Sequence, residues 1–456
     1  MSLSIFEMPY QADASLNFQQ VRHLPFPVML ESGRGRYADM MGRYDIISAD
    51  PQYIISDDQT QGHKLLEQVQ SHLDKIKLNA SDLDSGIADS QRDALLKALP
   101  FLGGAIGFLS YDFGKQLERL PNTTVNDISL PSAWFGIYGW VLISDHLEKK
   151  CWLINDQTLS SRLDSDLADI FEFATTQDHQ AFQLTTPFTS NLSKAHYLKN
   201  FQKLKDYIGS GDCYQVNFAQ RYSATFKGDS FGAYQKISTK IPTPFAAYFD
   251  LGKWQILSHS PERFISVKND QVCTQPIKGT RPRGYDDASD KAMKKELVES
   301  TKDKAENLMI VDLLRNDLSK SCVPFSVKVP RLFDIESYPN VHHLVSTITG
   351  QLDSDFSATR LLGDAFPGGS ITGAPKIRAM EIIDELEPHH RSIYCGSVIY
   401  LCRSGKVDSN ITIRTLVCED NNIYAWGGGG IVLDSDGEEE YQETLTKIGP
   451  LLNTLN

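Results

Sequence analysis

Two stretches of this chain carry carboxylates at helical spacing. Asp303 and Glu306 lie three residues apart in TKDKAENLMIVDLLRND, and Glu440 and Glu443 lie three apart in EEEYQETLTKIG. Residues at i and i+3 share a helix face. Each stretch also has an apolar stripe: Leu308, Met309, Val311 and Leu314 in one, Leu445, Ile448, Leu451 and Leu452 in the other. Carboxylates beside such stripes sit at the edge of a core, where two acidic ridges repel unless a cation lies between them. Mg²⁺ suits that place, being hard and oxygen-seeking. The same spacing also suits two solvated helix faces. Lys447, four residues after Glu443, fits either a surface ion pair or a lysine aimed at an anionic substrate beside the metal.

Lys278 sits in TQPIKGTRPRG, a strand-like approach to a turn. Exposed, it is an ordinary turn lysine. Buried, its ammonium is disfavoured, its pKa falls, and it becomes an amine nucleophile. Glu262, in HSPERF, ends an apolar strand-like run. Desolvation there would keep it protonated as a general acid; a plain salt bridge with Arg263 or another base is the alternative. Gly427–Gly430 follow the apparent strand 423–426. They suit a backbone approaching an anion closely, or a tight turn. GGSITGAPK, 368–376, is not a Walker A loop, because Ala-Pro precedes its lysine and no Ser or Thr follows. It reads as the approach to a helix starting near Gly373, with Ser370 and Thr372 able to hold an anionic group.

These residues need a scaffold. Short apolar strands are predicted at 28–30 and 44–47, a glycine-containing buried strand at 101–111, and two strands across 133–154 with a polar turn at 145–150. Residues 57–95 are helix-compatible. A polar segment, 176–194, reads as a linker. Ser193 then caps an amphipathic helix carrying Tyr197, Phe201 and Leu204. Further helices are expected at 288–316, 373–386 and 438–454. The chain therefore divides into an N-terminal region, 1–175, and a second unit, 195–454, that holds the chemistry. Strands and helices do not alternate regularly enough for a doubly wound sheet, so the fold class is α+β.

Bulk properties narrow the function. The chain has 456 residues, 41% hydrophobic and 23% charged, an ordinary globular composition. Its formal charge of −13 repels phosphate backbones and argues against nucleic acid. The 7 cysteines form no CxxC pair, which fits a reduced, cytoplasmic setting. The first residues have no signal-peptide pattern. No stretch approaches the roughly 18 apolar residues of a membrane span.

Taken together, SPERF, PIKGTRPRG, DKAENLMIVDLLRNDL, VHHLVS, FPGGSITGAPKIRAMEIIDELE, ITIRT, GGGGIV and EYQET closely resemble the chorismate-utilising enzymes. That group includes the first components of anthranilate synthase and aminodeoxychorismate synthase, and the isochorismate and salicylate synthases. LESG at 30–33 and GGAIGFLSYD extend the likeness to the N-terminal region. The resemblance implies an anthranilate synthase component I-like fold, with antiparallel sheets packed as a sandwich and helices outside. It implies Mg²⁺ held by Glu306 and Glu443, with Asp303 and Glu440 in or near its shell. Lys278 would be the nucleophile, Glu262 the general acid, and His343 an orienting or polarising group. Tyr394, Arg414, Gly430 and Lys447 match carboxylate-holding positions, with Ser370 and Thr372 beside them. Isochorismate and salicylate synthases have a lysine base where this chain has Gln215, so ammonia replaces water as the expected nucleophile. Anthranilate synthases carry alanine at the position of Lys278. The PIKGT form instead resembles the branch that aminates C4 of chorismate and keeps the pyruvyl group. Anthranilate formation, and a non-catalytic binder of chorismate or tryptophan, are the alternatives. With no glutaminase signature in the chain, a glutamine amidotransferase subunit is the expected partner. Some relatives also hold tryptophan, and Ser32, Arg43, Tyr44, Pro244, Phe245 and Ala246 fall in the matching segments.

Overall fold

The computed structural model describes residues 3–33, 42–78, 90–172, 180–338 and 341–456. Two antiparallel sheets dominate them. One runs, in spatial order, through Leu3–Met8, Lys150–Asp156, Trp140–Asp145, Tyr44–Ser48, Val28–Glu31, Phe245–Asp250, Trp254–Ser260, Thr415–Glu419, Asn422–Val432 and Gln215–Lys227. The other runs through Ile277–Pro282, Val341–Gln351, Gln271–Thr274, Arg263–Lys268, Val407–Asn410, Ser397–Cys402, Gly104–Leu109, Ala133–Tyr138 and Tyr53–Ser56. Strands from 1–175 form one side of each sheet and strands from 195–454 the other, so both regions share both sheets. The seams are Val28–Glu31 on Phe245–Asp250 and Gly104–Leu109 on Ser397–Cys402.

Alternation along the strands builds the layers. In Phe245–Asp250, Ala247 and Phe249 face the second sheet, while Ala246 and Tyr248 face the helices. Phe249 meets Phe108 and Trp134 edge-on across the sandwich, at 6.2 and 6.5 Å between ring centres. On the outer face, Phe18, Phe231, Tyr234 and Leu451 come from three helices and close over Tyr248, Leu257 and Leu416. The α+β class and the sandwich follow.

Several elements differ from their sequence reading. The span 133–154 forms three strands, because Gly139 breaks the run between Ala133–Tyr138 and Trp140–Asp145. The expected helix over 288–316 is two helices, Asp287–Glu299 and Thr301–Ser319, with extended Ser300 between them capping the second through the Asp303 N–H. On that second helix Ile310 faces inward and Leu308 is exposed, which rotates the expected stripe. The segment 176–194 contributes two short strands where described, Gln183–Leu184 and Thr189–Ser190. Ser193 does cap the helix Lys194–Gly209. Among the described residues no helix is long and apolar enough to cross a membrane.

Candidate active site

Glu262 lies where the chain crosses between sheets, after Trp254–Ser260 in one and before Arg263–Lys268 in the other. Arg414 lies at a second such crossing, between Val407–Asn410 and Thr415–Glu419, with a positive φ of 51°. Both residues thus lie where the chain leaves one layer for the other, outside the regular strand pairing. Arg263 points elsewhere, forming a two-pronged pair with Asp408 at 2.9 and 3.0 Å. A salt bridge from Arg263 to Glu262 therefore does not form. Glu262 is only 6% exposed. Burial raises its pKa, while Lys278, the Ser370 hydroxyl and the Ile277 N–H pull the other way, leaving it above the usual carboxylate range.

Lys278 is on Ile277–Pro282, the outer strand of the second sheet. Its pairing with Val341–Gln351 shifts register between Ile277 and Thr280, a bulge that re-aims the side chain. Gly279 supplies the bend with φ of 81°, and a Cβ there would lie 2.8 Å from the Asp303 Cγ. The Lys278 Nζ donates to the Ser370 carbonyl at 3.2 Å. Burial lowers the Lys278 pKa, outweighing Glu306 and Glu262, which raise it. Ser370 therefore bears on both groups: its carbonyl accepts from the amine, and its side chain helps hold down the pKa of the acid.

His343 is on the adjacent strand, paired with Thr280, and its Nδ1 lies 2.8 Å from the Thr280 hydroxyl. Burial, and then Arg414, push its pKa down to about 4, so the imidazole is neutral near pH 7. Tyr394 stacks flat on Trp426 at 6.0 Å.

The acidic residues converge from two helices. Burial raises the pKa of Glu306, opposed by Lys278 and Lys302 and reinforced by Asp303 and Glu443. Burial also raises that of Glu440, whose Oε1 accepts from Ser435 at 2.6 Å. For Glu443 burial is outweighed by Lys447, 2.6 Å away, together with Lys302 and Lys278, and the pKa falls. Asp303 accepts from Arg281 at 3.2 Å. Each acid thus leans on its own neighbour, and no three acidic, histidine or cysteine side chains among the described residues are gathered as a ligand shell. The donor set nevertheless fits a hard cation. The Glu440 Oε2 is buried without a hydrogen-bond partner. A Cβ on Gly429 would lie 3.2 Å from that oxygen and 3.3 Å from the Glu443 Oε1.

The four glycines are not a turn. They lie inside Asn422–Val432, paired with Gln215–Lys227. Their lack of side chains lets the helix Gly437–Leu455 settle on the strand, bringing its acids and Lys447, which donates to the Gly428 carbonyl at 3.3 Å. Opposite, Gln215 is fully buried, neither of its amide atoms has a partner, and a Cβ on Gly430 would lie 2.5 Å from its Nε2. The helix expected near Gly373 starts at Lys376. Ser370 and Thr372 precede it on a separate turn, and the Thr372 hydroxyl bonds back to the Gly368 carbonyl at 3.1 Å.

A cavity of about 100 Å³ lies away from this site, lined by Ser32, Tyr44, Pro244, Phe245 and Ala246, with Glu31 and Asn410. Arg43 is not in its wall. It forks onto Asp145 at 2.8 and 3.0 Å and stacks on Tyr44, because a carboxylate stood within reach on the neighbouring strand. The loop after Gly33, 34–41, falls outside the described residues.

Sequence reading did not single out Lys302, which precedes Glu306 by four and shares its helix. It also missed Arg391, four residues after Glu387. The i,i+4 spacing was the available signal in both cases.

Residues 27–453 match the chorismate binding enzyme family, and the chain belongs to it. It is 42% identical over 461 residues to an aminodeoxychorismate synthase component 1 of Salmonella typhimurium, covering 100% of this chain and 99% of the relative. An anthranilate synthase component 1 of Acetivibrio thermocellus is 34% identical, with 94% and 89% covered. The solved anthranilate synthase component I of Streptococcus pneumoniae superposes with a TM-score of 0.76 at 29% identity, covering 90% of this chain and 92% of that one.

Proposed function

We propose that this chain converts chorismate and ammonia into 4-amino-4-deoxychorismate, using Lys278 as a covalent nucleophile. The observation that carries this reading is the pairing of a buried amine and a buried acid across Ser370: the amine's pKa is lowered and the acid's raised. A neutral nucleophile beside a protonated acid is what displacement of an allylic hydroxyl requires. Lys278 Nζ adds to ring C2, the double bonds shift, and the 4-hydroxyl leaves as water with the proton of Glu262. Ammonia then bonds to C4, the double bonds shift back, and the C2–Nζ bond breaks to release Lys278. Glu262 recovers its proton from the incoming ammonia. His343, neutral and held by Thr280, orients the ring edge as a hydrogen-bonding group.

Glu306, Glu440 and Glu443, with Asp303 beside them, would hold Mg²⁺, which when bound supplies positive charge to a substrate carboxylate. Arg414, Tyr394, Lys447, the Gly430 backbone, Ser370 and Thr372 bind and orient the dianionic substrate. The buried, unpartnered Gln215 amide has donor and acceptor capacity for ammonia and none of a base's proton affinity, which favours amination over hydration. Ammonia comes from a glutamine amidotransferase subunit. The cavity lined by Ser32 and Tyr44 takes L-tryptophan. All seven cysteines are unpaired, which suits a cytoplasmic enzyme.

The test is direct. Purified chain is incubated with chorismate, Mg²⁺ and ammonium at alkaline pH, and the product is identified by mass. 4-Amino-4-deoxychorismate is expected; anthranilate, or binding without turnover, overturns the reading.

A further inference from the structure

Arg391 is among the largest fully buried side chains of the molecule, and the proposed chemistry does not use it. Burying a guanidinium is costly unless every donor is met. Here each of its three nitrogens finds an acceptor, and the acceptors come from three separate elements. Its Nε and Nη2 fork onto Glu387 at 2.9 and 2.6 Å. Nη2 also reaches the Asn217 carbonyl at 2.9 Å, and Nη1 donates to the Ile371 carbonyl at 3.0 Å. Glu387 in turn accepts from the Ala219 N–H at 2.8 Å. The plane of the group lies between two rings, Tyr111 at 4.7 Å and Tyr394 at 5.8 Å.

The placement of these contacts is informative. Ile371 adjoins Ser370, whose carbonyl accepts from the Lys278 amine. Asn217 lies two residues from Gln215, on the strand whose next link to the turn is the Asn217 N–H donating to the Thr372 carbonyl at 2.8 Å. Tyr394 rests on the guanidinium face. One buried ion pair therefore ties together the Gly369–Ile371 turn, the strand Gln215–Lys227 and an aromatic wall of the site.

We propose that Arg391, locked by Glu387, is a positioning residue that sets the place of Ser370 between Lys278 and Glu262. It acts by holding the Ile371 carbonyl, and does not itself touch the substrate. The inference rests on the amine–acid reading given above. Lysine at this position keeps the charge but loses the fork, so Ser370 gains freedom relative to both reacting groups. Misplacement of such groups by about 1 Å costs on the order of 100-fold in rate.

The experiment compares wild type, Arg391→Lys and Glu387→Gln in the full chain with chorismate, Mg²⁺ and ammonium, after thermal melts show which variants fold. For a folded Arg391→Lys we expect kcat to fall roughly 10- to 100-fold while KM for chorismate stays within about threefold. The pH profile of kcat should also move, since the Ser370 carbonyl contacts the titrating amine of Lys278. A residue needed only for folding would lower the melting temperature and leave the pH profile in place. Should Arg391→Lys fail to fold, Glu387→Gln carries the test, with a smaller fall and the same displaced profile. An active wild type alongside a folded variant with unchanged kcat and unchanged pH profile overturns this inference alone. Full turnover by Lys278→Ala overturns the amine–acid reading and this inference with it.

Discussion

Replacing Glu262 by glutamine separates the acid's proton from its shape. Glutamine fills the same 6%-exposed site and can still meet Ser370 and the Ile277 N–H, but it has no proton to give the departing hydroxyl. Loss of a positioned general acid costs roughly 10²–10⁴-fold in rate, equivalent to about 3–5 kcal/mol of barrier. The pH profile carries a second, signed consequence. In the wild type kcat falls on the acid side as Lys278 becomes protonated and on the alkaline side as Glu262 loses its proton. Over the acid limb Glu262 is still protonated and uncharged, so glutamine removes no charge beside Lys278 and that limb stays in place. The alkaline limb disappears, because the group that produced it is gone. Initial rates are measured from pH 6 to 10 at constant free ammonia and saturating Mg²⁺, with a melt at each end to confirm folding. A variant that keeps wild-type kcat within a few-fold and retains the alkaline limb would refute the assignment of Glu262 as the acid.

Three further outcomes follow from the same geometry. Lys278→Ala, incubated with chorismate and Mg²⁺ but no ammonia, should show no adduct by intact-protein mass, where the wild type gains one; an adduct in the variant would place the nucleophile elsewhere. Glu440→Gln removes the charge behind the unpartnered Oε2 and should weaken Mg²⁺ binding by roughly 10–100-fold in calorimetry; unchanged affinity would remove Glu440 from the metal site. L-Tryptophan at about 100 times its Kd should stabilise the fold by about 2.7 kcal/mol, read as a raised melting temperature. Asp45→Asn, which loosens the hold on the Ser32 N–H and hydroxyl, both at 2.7 Å, should weaken that effect. No shift with tryptophan in the wild type would leave the cavity without this ligand.

Much of the scaffold was legible in the chain. The Ser193 cap, the helix that follows it and the strands at 28–31 and 44–48 stand where alternation and capping place them. The turn alternative for the glycine run and the single helix expected over 288–316 fail for a shared reason. Glycines 427–430 look like a turn locally, yet they are a strand, because a helix must lie against them. Ser300 resembles any helical serine until its hydroxyl is seen capping Asp303. Arg43, in a segment that the resemblance linked to tryptophan, forks onto Asp145, on a strand about a hundred residues away.

Residue type and spacing, by themselves, determined that four acids share two helix faces, that a lysine interrupts a strand beside a glycine, and that strands of both regions alternate in hydrophobicity. These properties depend on neighbours within a few residues, and local stereochemistry expresses them directly. Only the tertiary structure decided which ammonium is desolvated, which carboxyl keeps its proton, and which arginine holds the turn between them. Those outcomes depend on dielectric surroundings and on charges supplied by segments distant in the chain. The crossings at Glu262 and Arg414 bring such segments to one end of the sandwich, and no local pattern encodes that meeting.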